Sequence, residues 1–384
     1  TLSSSSAASD VYKRQEEPMK KYFKIFITFL KFGFLAFGGP VSQINMIREK
    51  LVRVEKWVDQ KRFNRALSLY QVLPGPEAHE MCVYLGMVKA GRLGGFLAGL
   101  GFMLPGFTFI MILAYLYSLL GPVVLLPLFV GAKPAVAALI VRASHKISEH
   151  ILINKKLILI GVLSSVLTWL GLNFLLNILL CGFCYYLCVK QNNILAIALG
   201  VISLPIALTG YLNIELFQYF SPPESESGLF LQGLKAGLLS FGGAYTALPF
   251  LKSGIAGHYL GVTEDVFSDG IALTGVVPTP LLMFGTFLGY MATGVSGALL
   301  ITVAIFLPAF LFTLLGHKYF EQILKHKPLH AFLDGVSAGV AGILVITAIE
   351  FLIPILNSNL LVMLLFVFSL AVLYVLKTRF VVPT

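Results

Sequence analysis

Two lysines, Lys31 and Lys235, each stand six residues ahead of an interrupted apolar stretch: Phe37-Gly38-Gly39-Pro40 follows the first, Phe241-Gly242-Gly243 the second. Glycine accepts positive φ and lets a backbone approach closely. Proline suits the first turn of a helix, where amides without intrahelical partners and the positive dipole end favour an anion. Pro40 occupies that place in the first motif, and Ala244 replaces it in the second. A second pair of interruptions follows, Pro74-Gly75-Pro76 and Pro278-Thr279-Pro280. Ammonium groups beside open backbone amides suit an oxyanion, with the hydroxyls of Ser42, Ser240, Tyr245, Thr246 and Thr279 as neutral donors. The bland alternatives are packing kinks at the breakers, helix-packing hydrogen bonds for the hydroxyls and lysines that snorkel to the membrane surface.

Glu77, His79 and Glu80 follow the first Pro-Gly-Pro, whereas Leu281, Met283 and Phe284 fill that register after the second. This asymmetry reads as a coupling or gating role, or as local pairing with Lys31 or Lys89. Lys133, beside Pro134, is a further candidate cation. His79-Glu80 is no zinc-protease signature, because Val83 stands where the second histidine is required. Neither a metal nor a cofactor is expected. Cys181, Cys184 and Cys188 fall at helical spacing in one apolar run, where thiols pack as small inert groups.

The elements that carry these residues follow from composition. Of 384 residues 57% are hydrophobic and 12% charged, and the mean hydropathy is +0.87. Soluble domains are about a quarter charged, so lipid is the solvent for most of this chain. Long apolar runs recur from Phe23 to Leu376 without the short alternating segments of a closed barrel, which predicts an all-α polytopic membrane protein. The net charge of +10 sits in a few loops and reports topology, not a nucleic-acid partner. Residues 1–18, Ser/Ala-rich and similar to a translated sequencing-adapter end, are set aside, with the start expected at Met19 and no cleavable signal peptide.

Internal similarity then orders the chain. Moving 204 positions on, Lys31 meets Lys235, Phe63 meets Phe267, Pro74 meets Pro278 and Pro76 meets Pro280. After one deletion Gly86, Gly91, Gly94 and Pro105 meet Gly289, Gly294, Gly297 and Pro308. The expected units are residues 19–211, an acidic external linker at 212–227 and a second repeat at 228–384. The stretch Arg48 to Arg65 is rich in lysine and arginine, while its counterpart Lys252 to Asp269 holds one lysine against Glu264, Asp265 and Asp269. By the positive-inside rule these loops face opposite sides, so the repeats are inverted and both termini are cytoplasmic. The breakers lie near the centres of Tyr22 to Ile47 and Ala66 to Val88. Two re-entrant hairpins meeting at the bilayer midplane fit that placement, and two full spans with a basic external loop give the same parity.

Phe37-Gly-Gly-Pro40, Leu73-Pro-Gly-Pro76, Leu234-Lys-Ala-Gly-Leu-Leu-Ser-Phe-Gly-Gly-Ala-Tyr-Thr-Ala-Leu-Pro249, Leu273-Thr-Gly-Val-Val-Pro-Thr-Pro280 and Phe332-Leu-Asp-Gly-Val336 together resemble the bidomain form of the chromate ion transporter family. The likeness covers nearly all of Tyr22 to Leu352. It implies efflux of chromate from the bacterial cytoplasm across the plasma membrane, and the two inverted halves suit a secondary transporter that closes a midplane site by alternating access. Glu77-Ala-His-Glu80 departs from the small and hydroxyl residues of many relatives, which points to altered coupling or substrate. Sulfate or another small anion is the alternative cargo. An intramembrane enzyme acting on lipid phosphates would need a nucleophile elbow that the sequence lacks. The partners expected are the oxyanion and the bilayer, with no nucleic acid, and a homodimer is one oligomeric state the sequence leaves open.

Overall fold

A chain this apolar has to satisfy its backbone internally, and helices do so within one segment. The computed structural model describes residues 3–375 apart from positions 38, 72, 212–224, 241–243, 258, 260, 318 and 320–326, and among the described residues there is no strand. Most of the expected linker, and Gly38, Gly242 and Gly243 with it, lie outside the described residues. Helix α1 (Ser3–Phe34) starts ahead of Met19. It is followed by α2 (Gly39–Ile47), which continues as a π-helical turn Arg48–Val54, and by α3 (Gln60–Tyr70). Helix α4 (Glu77–Ile151) runs for 75 residues but is interrupted at Ala90-Gly91 and at Gly121. Then come α5 (Lys155–Trp169), α6 (Phe174–Val189) and α7 (Asn193–Tyr211). The second half contributes α8 (Glu226–Leu239), α9 (Leu248–Ile255), α10 (Glu264–Val276), α11 (Phe284–Thr293), α12 (Val295–Leu311), α13 (Lys327–Leu356) and α14 (Leu360–Val375).

Among the described residues three stretches, Glu77–Gly121, Val295–Gly316 and Pro328–Leu356, are long and apolar enough to cross a membrane. On at least one side of each breaker the helix is shorter. α2, α3, α9, α10 and α11 have 9, 11, 8, 13 and 10 residues. At 1.5 Å per residue each rises only about 12–20 Å, against a hydrocarbon core of about 30 Å.

Matched positions in the two halves do the same structural work. Asp59 caps α3 by accepting from the Arg62 amide at 2.8 Å, and Thr263 caps α10 by accepting from Val266 at 3.3 Å. The next matched residues inward, Phe63 and Phe267, are both fully buried. α1 lies along α4 and α8 along α12. A Cβ at Gly33 would fall 2.5 Å from the Phe102 carbonyl, and one at Gly237 would overlap the Ile305 carbonyl, so both helix pairs close at the same registered glycine. Gly91 and Gly294 turn the chain with φ of 70° and 75° at equivalent places. In lipid, where burial of apolar surface gives no drive between helices, such close approach is what holds them together.

The apolar core divides accordingly. One cluster gathers Ile25, Phe29, Phe63, Tyr70 and Phe102 in the first half. The other gathers Phe267, Phe284, Phe287, Ile301 and Phe306 and also takes in Ile110, Ala114, Tyr117, Val136 and Ile140 of α4. α4 is therefore a spine shared by both cores, touching α1, α10, α11, α12, α13 and α14. Behind it α13 packs on α5 and α6, where Ser164 and Ser165 donate to the Gly339 and Gly342 carbonyls at 2.7 and 2.9 Å. Cys181 and Cys184 are buried in that packing. Gly33→Val and Gly237→Val are each expected to destabilise by about 1–3 kcal/mol through overpacking. The check is the melting temperature of the detergent-purified protein, with Gly131→Val, whose Cβ would meet nothing within 4 Å, expected to melt with the parent.

Candidate functional site

The site is assembled from the backbone interruptions, each of which frees polar groups that need partners. At the first, α1 ends at Phe34 and the chain turns through Leu35 to Phe37 into α2. The freed Ala36 carbonyl accepts from Gln43 Nε2 at 2.9 Å, and Gln43 is 2% exposed. Gln43 was not singled out from sequence, although a lone amide in an apolar segment was a usable signal. Gly39 has φ +80° with open space around its α-carbon, Phe37 is exposed, and Pro40 and Ser42 are half-buried. Lys31 lies exposed on α1.

At the second interruption α3 ends at Tyr70, and Pro76 caps α4, its carbonyl accepting from the His79 and Glu80 amides at 2.9 and 3.0 Å. Gly75 takes φ +146° and donates its amide to the Ser240 carbonyl at 3.1 Å. Ser240 is the last described residue before the second doubled glycine, so this bond joins a break of the first half to a break of the second. Behind Gly75 sits the Glu80 carboxylate, 2.8 Å from where a Cβ would be. Glu80 and His79 are fully buried, and Glu77 nearly so. Neither carboxylate oxygen of Glu80 nor either ring nitrogen of His79 makes a well-aligned hydrogen bond among the described residues. The imidazole stands edge-on to Phe306 and Phe310 of α12, with ring centres at 5.0 and 4.7 Å. His79 therefore faces the second half.

At the third, α8 ends at Leu239, Ser240 is buried, and the chain re-emerges in a 3-10 turn Ala244–Ala247 that buries Thr246. At the fourth, Val277 is extended after α10, Pro278 is half-buried, Thr279 and Pro280 are buried, and a 3-10 turn Leu281–Met283 leads into α11. The Thr279 side chain fills the space left by the missing Cβ of Gly106 on α4. The two 3-10 turns touch each other. Three of the four breaks thus converge, whereas the first is tied to α4 through α2.

Lys235 opens onto a cavity of about 450 Å³, which Gln232, Asn173, Thr347, Lys252 and Glu350 also line. Lys252 is held by Glu350 at 2.8 Å and Glu264 at 3.4 Å. Half-buried Lys235 has no carboxylate within ion-pair distance among the described residues. Lys31 does not line this cavity. Lys133 meets Asp269, a residue read from sequence only as part of an acidic loop.

Residues 23–186 and 227–383 match the family model described as Chromate transporter. A chromate transport protein of Pseudomonas aeruginosa is 45% identical over 352 residues, covering 90% of this chain and 84% of its own. One from Cupriavidus metallidurans is 30% identical over 325 residues, 82% of this chain and 78% of its own. A probable chromate transport protein of Synechococcus elongatus is 29% identical over 331 residues, covering 82% and 80%. No solved structure matches.

Gly75→Ala combines a collision with the Glu80 carboxylate and an unfavourable φ, so transport in membrane vesicles should fall. Removing the obstacle in the Gly75→Ala/Glu80→Gly double variant should recover part of the stability that the single loses, leaving a strain of about 1–3 kcal/mol from the backbone alone. Equal melting temperatures for single and double variants would show that Glu80 does not press on Gly75.

Proposed function

This chain belongs to the chromate transporter family, and from that premise we propose that it exports chromate across the bacterial inner membrane as a secondary transporter working by alternating access. The two halves lie in opposite orientations with cytoplasmic termini, and the interrupted segments are re-entrant arms that meet near the midplane. The observation that carries this reading is the Gly75 amide bonded to the Ser240 carbonyl at 3.1 Å, a contact between breaks of different halves. Broken helices persist away from water only where protein or a hydrated cavity covers them. The short flanking helices and the registered glycine contacts support the same arrangement.

Lys235 supplies the charge that draws a tetrahedral dianion into the cavity, and Gln232, Asn173 and Thr347 supply uncharged polar groups. Lys31, exposed here, takes the equivalent part in the opposite phase of the cycle. Export from a negative interior is downhill: two charges yield roughly 4.6 kcal/mol per 100 mV. The potential therefore suffices to drive the flux. Buried Glu77, His79 and Glu80, which open α4 directly after the second break with His79 against α12, serve gating.

Everted membrane vesicles test this directly, since export then appears as uptake. Vesicles with the unmodified chain should accumulate chromate above empty ones and lose that uptake when the potential is collapsed. Lys235→Gln should lower initial uptake about tenfold, the equivalent of roughly 1.4 kcal/mol. Sulfate in excess should compete if the site recognises the tetrahedral dianion by charge and shape. Uptake no higher than in empty vesicles would end the proposal.

A further inference from the structure

α4 and α10 are joined by charge at a place the proposed substrate path does not use. Lys133 Nζ lies 2.7 Å from Asp269 Oδ1, and the Tyr117 hydroxyl donates to Asp269 Oδ2 at 2.8 Å. Asp269 is 2% exposed. Tyr117 and Lys133 belong to the same helix but to different arms of it, because Gly121, with φ +73°, interrupts α4 between them. One carboxylate therefore spans the interruption and fastens both arms to the second half.

Stability alone does not account for this arrangement. A buried ion pair is often no more stable than apolar side chains of the same volume, whereas either charge left alone is costly. On the Asp269 side the surroundings are apolar: Tyr117 stands edge-on to Phe287, with Ile140 and Val136 in the same core, while the Lys133 side chain is half-buried. Charges kept in such segments mark the parts of a membrane protein that work.

The position of Asp269 says which part. α10 runs from its Thr263 cap to Val276 and leads straight into Pro278-Thr279-Pro280. Thr279 rests on Gly106 of α4, so α4 holds this hairpin twice, by packing at the break and by charge on the helix before it. A turn toward the start of α10, exposed Asp265 lies 3.9 Å from the same Lys133 nitrogen. The ammonium thus has two carboxylates of α10 within ion-pair distance, one at 2.7 Å and one at 3.9 Å. A slide of α10 by one helical turn, about 5.4 Å, would pass Lys133 from one carboxylate to the other without leaving it bare.

We infer that Asp269, Lys133 and Tyr117 are positioning residues of the transport cycle, which set α10 and the Pro278–Pro280 break against the two arms of α4. They act on the rate at which the halves exchange states and do not touch the anion. The inference rests on the transport reading above. Kinetics of chromate uptake in everted vesicles test it with Asp269→Asn, Lys133→Gln, Tyr117→Phe and the swap Lys133→Asp/Asp269→Lys, each scaled to the protein present in the membrane.

Asp269→Asn and Lys133→Gln should lower kcat about tenfold with KM within about twofold, the signature of a lost step and not of lost binding. The swap should regain part of that turnover. Tyr117→Phe, which removes one hydroxyl and keeps the ring packing, should show a smaller loss of kcat at unchanged KM and decides the matter if the charge variants fail to insert. Wild-type kcat in Asp269→Asn or, failing its insertion, in Tyr117→Phe overturns the inference. So does a loss carried wholly by KM, or a swap that inserts normally and stays as slow as the singles. Silence of the unmodified chain would sink the transport reading and this inference with it.

Discussion

A helix interrupted away from water leaves amides and carbonyls that must find partners, and the architecture here is organised around four such interruptions. The unmet groups are answered by specific residues: Gln43 for the Ala36 carbonyl, the Ser240 carbonyl for the Gly75 amide, the Pro76 carbonyl for the start of α4. The first two answers draw a second element close, so part of the cost of breaking a helix is converted into a contact between elements. α4 collects these contacts and belongs to both cores at once.

Electrostatics follow the same division. Where a cation and carboxylates are both on hand they pair, as Lys252 does with Glu264 and Glu350, and such exposed pairs contribute little net stability. Lys235, in the same cavity, lacks that compensation among the described residues. The difference between two lysines one element apart is what makes the cavity selective for an anion in the proposed mechanism. The halves also diverge at this register: Glu77, His79 and Glu80 are buried, with His79 against Phe306 and Phe310 and Glu80 behind Gly75, while Leu281, Met283 and Phe284 are their apolar counterparts.

Much of this was legible in the sequence, because local rules and long-range register write themselves into residue types. The all-α character follows from apolar runs without alternation, and the breaks at Phe37-Gly-Gly-Pro40, Pro74-Gly-Pro76 and Pro278-Thr-Pro280 follow from the backbone preferences of glycine and proline. Asp59 and Thr263, matched in register, prove to be equivalent helix caps, which composition alone did not suggest. What stayed hidden depends on which surfaces meet. Lys133 looked like a lone cation because its partner Asp269 lies 136 positions away in an acidic stretch that reads as a loop. Lys31 and Lys235 are identical in register, yet one is exposed and the other lines a cavity, because only the second is covered by the α5–α6 connection and α13. Gly38, Gly242 and Gly243, central to the sequence argument, lie outside the described residues.

Opposed insertion of the two halves is the claim on which the shared midplane site stands, and side-specific labelling of matched positions measures it. In a background with the partly exposed Cys188 replaced by serine, single cysteines would be placed at exposed Gln60 and at its register mate Glu264. A membrane-impermeant maleimide should react with Glu264→Cys in intact cells and with Gln60→Cys only in everted vesicles. Labelling of both from the same side would contradict the opposed halves, and with them the account of how the breaks come to face one another.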